Sequence, residues 1–115
     1  MKKEYLDYVE DIVRAMDDVS NFVEGLTFEV FASDKKSVYA VIRAIEIIGE
    51  ATKNIPLDIR NQYPQIPFKE MAGMRDKVIH EYSGVDLKRV WKTVNSDIPE
   101  LKPLFEKILV EKSKK

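Results

Sequence analysis

The sequence contains no cysteine, which excludes disulfide bonds, zinc–thiolate sites and cysteine nucleophiles. It has no apolar run long enough to cross a membrane, and its first residues lack the apolar core of a signal peptide. It also has no glycine-rich phosphate loop, no metal-binding His/Cys spacing and no Ser-His-Asp set. We therefore expect a cytoplasmic protein that has no membrane partner, no metal and no cofactor.

The sequence also lacks an excess of one charge, because it contains 19 Lys and Arg and 20 Asp and Glu, which gives a net charge of -1. Proteins that bind nucleic acid non-specifically usually present a basic surface, so any contact with RNA must be local. Residues 75–92 carry five basic and three acidic groups, whereas residues 1–24 carry three basic and seven acidic groups. The net charges of +2 and -4 predict a weak basic patch or an ordinary solvated face.

Apolar residues recur at three- and four-residue intervals along most of the chain, which predicts an all-α protein. We expect a single domain, 1–115, folded as an up-and-down bundle of four to five helices, with a tail that frays from about residue 110. Asp34 caps a helix that runs to about Lys53. This helix carries two apolar stripes and should lie centrally in the bundle.

The second half of the chain predicts three more helical segments, separated by Pro and Gly. Pro67 should begin a helix that ends at Ser83–Gly84, and Asp86 should cap the next one. Asp97–Glu100 has the spacing of a capping box, which predicts a helical continuation there, with a kink at Pro103.

The candidate chemistry lies in the stretch 71–82. His80 is the only histidine of the chain, and histidine is the side chain best suited to proton transfer at neutral pH. Arg75 supplies a permanent forked cation suited to phosphate, and Tyr82 supplies a hydroxyl. Asp76 lies four residues before His80, where one helical turn would let its carboxylate orient the imidazole. We expect an imidazole that titrates near neutrality.

On a helical wheel, Arg75 and Tyr82 fall inside an apolar arc, where an unpaired guanidinium would be costly. Arg75 therefore needs a partner: Glu46 or Glu50, an anionic ligand, or a second copy of the chain. On one helix, Arg75 and His80 would point about 140° apart and lie roughly 7.5 Å apart along the axis. They could converge through the long arginine side chain, an open helix edge, or a two-fold axis.

Simpler interpretations exist for the same residues. His80 could be an exposed histidine at a helix end with no task, and Tyr82 could be a core or interface aromatic. Acidic pairs in the first helix fit a solvated face better than a metal site.

The segment Arg75-Asp-Lys-Val-Ile-His80-Glu-Tyr82 resembles the R-x4-H-x-Y motif of HepT-like toxins in the HEPN superfamily. The flanking stretches agree in order: 39–42, 47–51, 66–68, 71–74, 84–86 and Trp91. The resemblance covers most of the chain, to about Ile108. One departure is Asp76, where the family often has Asn.

This resemblance implies a HEPN bundle that forms a homodimer, with two motif helices lining a shared cleft. It implies a metal-independent endoribonuclease toxin in which Arg75 and His80 are catalytic, Asp76 orients His80, and Lys77 binds the RNA backbone of a tRNA or mRNA. The implied partner is a minimal nucleotidyltransferase antitoxin that attaches AMP to Tyr82. Two alternatives remain: a non-catalytic HEPN module that binds a nucleotide or a partner, and a structural dimerisation protein with Arg75 ion-paired and His80 idle.

Overall fold

The computed structural model describes residues 4–80 and 84–113, and for residues 77–80 it describes the backbone only. In this part of the chain the protein is all-α, as predicted, apart from one pair of two-residue strands. The helices are α1 (Tyr5–Val23), α2 (Phe28–Ser33), α3 (Lys35–Thr52), α4 (Leu57–Asn61), α5 (Phe68–Ala72), α6 (Met74–Val78), α7 (Leu87–Lys92) and α8 (Ile98–Lys112). The strands are β1 (Ile79–His80) and β2 (Gly84–Val85), which pair antiparallel.

Helix α3 lies centrally, as its two apolar stripes predicted. It packs against α1, α2, α5 and α6, while α1 also packs against α8. On α3 the side chains of Val41, Ile45 and Ile48 are fully buried. Gly49 lets α5 approach closely, because a Cβ built there would lie 3.4 Å from the carbonyl oxygen of Ala72.

The predicted helix caps at the two aspartates are confirmed. Asp34 accepts a hydrogen bond from the backbone N–H of Lys36 at 3.2 Å, and Asp86 accepts one from that of Arg89 at 3.1 Å. These bonds satisfy N–H groups that have no partner within their own helix. Helix α2 was not predicted, although Thr27 caps it by accepting from the N–H of Val30.

The predicted helical continuation after Asp97 is confirmed, but the capping box is not formed. Asp97 has helical dihedral angles, φ -69° and ψ -47°, and its side chain makes no capping hydrogen bond. The backbone instead stays helical from α7 to α8 through a π-helical segment, Thr93–Asp97. A π-helical turn is wider than an α-helical turn and shifts the register of the side chains that follow it.

Helix α8 is helical to Lys112, two residues beyond the position from which we expected the tail to fray. Near this end, the hydroxyl of Tyr63, a residue that is buried as a whole, donates a hydrogen bond to Glu111 at 2.7 Å. Burial, together with the bond to Glu111, raises the pKa of Tyr63 to about 12. Tyr63 therefore ties the loop after α4 to the last turn of α8.

Candidate active site

The guanidinium of Arg75 meets an acid on the central helix. Its Nε donates a hydrogen bond to Oε2 of Glu46 at 2.9 Å. The side chain of Arg75 is 50% exposed and that of Glu46 is 29% exposed. Of the two acids proposed from the sequence, Glu46 is the partner, and Glu50 instead pairs with Lys53 at 3.2 Å. The need for a partner is confirmed, but the ion pair is half exposed rather than internal.

Among the residues that the structure describes, Glu46 binds the Nε of Arg75 and none accepts a hydrogen bond from its terminal nitrogens. Arginine has five N–H donors, one on Nε and four on the two terminal nitrogens. Nη1 lies 3.9 Å from Oδ1 of Asp76, which is too far for a hydrogen bond. Arg75 can therefore still present its two terminal nitrogens as a fork, the arrangement that binds two oxygens of a phosphate.

Arg75 lines a polar groove of about 190 Å³ between α3 and the α5–α6 segment. Gly49 and Ala72 also line the groove, at the point where α3 and α5 come close together. Among the side chains that the structure describes, the charged ones that line the groove are three cations and three anions: Arg43, Lys53 and Arg75, with Glu46, Glu50 and Asp76. These six side chains do not form a basic patch, so a phosphate would bind to a single cation here rather than to a diffuse positive field.

The charged residues that α3 contributes to this groove were missed as a group by the sequence reasoning. Arg43, Glu46, Glu50 and Lys53 are spaced by three, four and three residues, so they lie along one face of the helix. That spacing was a readable signal. It was hidden because the apolar stripes of the same helix dominate its pattern.

The sequence placed Arg75 and His80 on one helix, and this is wrong. Helix α6 ends at Val78, and the backbone of His80 lies in β1, paired with Gly84. The β-branched Val78 and Ile79 favour extended structure, and Gly84 adopts the positive φ of +82° at the start of β2. A second break occurs at Gly73, between α5 and α6. Helical-wheel angles therefore do not relate Arg75 to His80, and Asp76 does not lie one helical turn from it.

Only part of the predicted site can be placed. Asp76 is on α6 with its side chain 85% exposed. For Lys77 and His80 the backbone is described and the side chains are not, and Tyr82 lies outside the described residues. The roles assigned to these residues from the sequence stay predictions.

Two features are absent from the described part of the chain. No grouping of three or more His, Cys, Asp or Glu residues there could hold a metal ion. No helix there is long and apolar enough to cross a membrane.

Comparisons with known proteins point to one family. The family model described as "Ribonuclease HepT-like" matches residues 12–108. A protein of Thermococcus cleftensis named "Probable ribonuclease HepT" is 55% identical over 108 residues, covering 94% of this chain and 98% of its own. A protein of Methanocaldococcus jannaschii named "Putative RNase" is 51% identical over 114 residues, covering 99% of this chain and 98% of its own.

A more distant relative, named "Putative RNase", comes from Caldanaerobacter subterraneus subsp. tengcongensis. It is 43% identical over 102 residues, which cover 89% of this chain and 91% of the relative. No solved structure matches the chain. With the family model spanning most of the sequence and relatives of matching length, this chain belongs to the HepT-like ribonuclease family.

Proposed function

We propose that this protein is a metal-independent endoribonuclease. The observation that carries the proposal is the Arg75 guanidinium, which is half exposed, anchored through Nε, and has no described hydrogen-bond acceptor at its terminal nitrogens. Family membership and the ribonuclease names of the relatives support RNA as the substrate. The short separation along the chain between Arg75 and His80 supports a joint role in one reaction.

In the proposed reaction, the ribose 2′-hydroxyl attacks the adjacent phosphorus, and the bond from phosphorus to the 5′-oxygen breaks. Arg75 binds the phosphate and the charge that develops on it, while His80 takes the 2′-hydroxyl proton or protonates the leaving 5′-oxygen. The products are a 2′,3′-cyclic phosphate and a 5′-hydroxyl. Asp76 and Lys77 support the site, Asp76 by its charge near His80 and Lys77 by contact with the RNA backbone.

We also propose that the active form is a homodimer. Two copies would bring two motif segments to one cleft, so that the Arg75 of each copy could act beside a His80 from either copy. The half exposure of Arg75 in the single chain supports this arrangement, because a fully covered guanidinium could not reach across an interface.

Control by a nucleotidyltransferase antitoxin belongs to the same proposal. Transfer of AMP from ATP to the Tyr82 hydroxyl forms a tyrosyl–phosphate bond, releases pyrophosphate and leaves a negative charge near Arg75. The phosphate of the attached AMP would bind to Arg75 and so block the site that the RNA phosphate needs. Mass spectrometry of protein coexpressed with such an enzyme checks the modification, and an unmodified Tyr82 would contradict it.

The cleavage test uses labelled tRNA and mRNA in excess EDTA, with protein purified without the antitoxin. Wild type should produce cyclic-phosphate ends, whereas His80→Ala and Arg75→Ala should not. Arg14→Ala is the matched control for Arg75, because Arg14 is also an exposed arginine paired with an acid, Asp11, at 3.8 Å. A folded, unmodified wild type that cuts no RNA would overturn the proposal.

One observation favours a second candidate, a protein in which Arg75 has only a structural task. The 2.9 Å bond to Glu46 is what that interpretation expects. It predicts that Arg75→Ala lowers the free energy of unfolding and leaves RNA binding unchanged. Chemical denaturation and RNA binding, measured on the same variant, separate the two candidates.

A further inference from the structure

A second cavity lies on the other side of the α5–α6 segment from the Arg75 groove. It has a volume of about 220 Å³ and lies between α5–α6 and the continuous helix formed by α7, the π-helical segment and α8. Met74 lines it and directly precedes Arg75 in the chain. The cavity and the Arg75 groove therefore lie on opposite faces of the same short segment, α5–α6.

The floor of this cavity is apolar and fixed in place. Met71, Met74 and Leu101 line it and are between 1% and 8% exposed, as is the buried Thr93 beside them. We call the two methionines the methionine floor. A thioether is polarisable and makes favourable contacts with aromatic rings. Because a cavity of about 150 Å³ accepts a benzene ring, this one has room for a flat heterocycle.

The rim carries charges of both signs. The cation rim consists of Arg89 and Lys92, which are three residues apart and thus neighbours on α7. The acid rim consists of Glu70, Asp97 and Glu100. None of these five side chains forms an ion pair with any side chain that the structure describes. The charges around this cavity are therefore available to a ligand.

The backbone at the cavity gives an independent reason to expect a ligand. Thr93 and Asp97, the first and last residues of the π-helical segment, both line the cavity. Single π-helical turns within α-helices are rare, and they occur frequently at functional sites. Here the irregular turn directs Asp97 to the rim, where an uninterrupted α-helix would give the following side chains a different register.

We propose that this cavity binds one ribonucleotide of the RNA substrate, on the face of the α5–α6 segment opposite the Arg75 groove. The base lies on the methionine floor, its phosphate meets the cation rim, and the acid rim accepts hydrogen bonds from amino groups of the base. Carboxylates accept from such groups, as they do from the amino group of cytosine. The site therefore favours bases that have an exocyclic amino group over uracil. The inference rests on the proposed ribonuclease function, since it assigns a subsite of that substrate.

Binding is tested on the full chain by methyl NMR of its methionines, of which the sequence has four. The probes are 5′-monophosphates of cytidine, adenosine, guanosine and uridine. The methyl signals of Met71 and Met74 should shift, because a base stacked on them changes their magnetic environment. The signal of Met16, fully buried on α1, should not move. Ribose 5-phosphate separates binding of the base from binding of phosphate alone.

Variants of the cation rim and of the acid rim test the binding role that we propose for each. The double variant Arg89→Ala, Lys92→Ala should weaken the shifts, whereas Lys88→Ala on the same helix should not. Glu70→Ala with Asp97→Ala removes both acceptors and should reduce the preference for amino-bearing bases over uracil by roughly fivefold or more, the loss expected for one base contact. Glu106→Ala, on the exposed side of α8, is the control for these acids.

The results separate this inference from the proposed function. An RNA blocked by 2′-O-methyl groups should displace the mononucleotide, and failure to displace it would overturn the assignment to RNA. If wild type cleaves RNA but no nucleotide shifts Met71 or Met74, or ribose 5-phosphate shifts them equally, the base subsite is wrong and the ribonuclease stands. If nucleotides and blocked RNA bind but nothing is cleaved, the cavity assignment stands and the ribonuclease fails.

Discussion

Glu46 holds the Nε of Arg75 at 2.9 Å and leaves the terminal nitrogens of the guanidinium outside the pair. Glu46 belongs to an 18-residue helix in the centre of the bundle, whereas Arg75 belongs to a helix of five residues. The longer, better packed element thus fixes the direction of the side chain on the shorter one. A side chain that is already ordered loses less entropy when it binds a phosphate.

This relationship predicts different effects for two variants of Glu46. Glu46→Gln keeps an oxygen that can accept from Nε, whereas Glu46→Ala removes it. We expect kcat/KM for RNA to stay close to wild type in the first and to fall roughly twofold to tenfold in the second, the range for losing the order of one long side chain. Steady-state cleavage of a short RNA is the measurement.

A double-mutant cycle shows whether Glu46 acts through Arg75. In an Arg75→Ala background, Glu46→Ala should have no further effect on the affinity for an uncleavable RNA, because there is no guanidinium left to position. Equal losses in both backgrounds would mean that Glu46 affects RNA directly. A rise in RNA affinity for Glu46→Ala in the wild-type background would mean that Glu46 competes with RNA for Arg75.

Close packing at Gly49 predicts a steep dependence on side-chain size. A Cβ there would lie 3.4 Å from the carbonyl oxygen of Ala72, so alanine fits and larger side chains push α5 away. Gly49→Val should lower the free energy of unfolding by about 1–3 kcal/mol, the usual cost of overpacking. Gly73→Val is the comparison, because a Cβ at Gly73 would have more room, 3.8 Å from the carbonyl oxygen of Lys69. Urea denaturation measures both, and equal losses would argue against tight packing at Gly49.

Removing the helix cap at Asp86 should cause a measurable loss of stability. Asp86→Ala removes the acceptor for the N–H of Arg89 and should lower the free energy of unfolding by about 1 kcal/mol. Asp86→Asn keeps an acceptor and should cost less. Thermal unfolding followed by circular dichroism compares the two, and identical melting temperatures would show that the cap contributes nothing.

The raised pKa of the Tyr63 hydroxyl predicts that the protein becomes less stable at alkaline pH. Its pKa is raised from 10.0 to about 12 in the folded protein by burial and by the bond to Glu111. The unfolded chain therefore loses this proton at lower pH than the folded protein does. This contribution to stability is fully present below about pH 10 and is lost as the pH rises towards about 12.

Tyr63→Phe is the variant that isolates this titration. It should lower the free energy of unfolding by about 1 kcal/mol at neutral pH, since one hydrogen bond is lost. The free energy of unfolding of this variant should also fall less between pH 10 and 12 than that of wild type, because the titration of Tyr63 is removed. Tyr39→Phe is the control, because Tyr39 is 68% exposed. If the free energy of unfolding falls equally in wild type and Tyr63→Phe, other groups cause the fall.

The sequence alone determined those features that depend on local chemistry. Apolar spacing predicted the central α3, and the aspartates predicted the starts of α3 and α7, because capping depends on a few neighbouring atoms. The place of Arg75 in a mostly apolar segment predicted that it needs a partner. The R-x4-H-x-Y spacing, together with the flanking stretches in the same order, indicated the family that the comparisons show.

Only the tertiary structure decided the features that depend on distant parts of the chain. From the sequence, Glu46 and Glu50 were equally good candidates for the acid that pairs with Arg75. The packing of α3 against α6 brings Glu46 to Arg75. The motif segment has a helical pattern, yet pairing with Gly84–Val85 turns the backbone at Ile79–His80 into a strand. The capping-box spacing at Asp97 was overridden by a continuous helix with a π-helical turn. In each case several local conformations have similar free energies, and contacts with the rest of the fold select one of them.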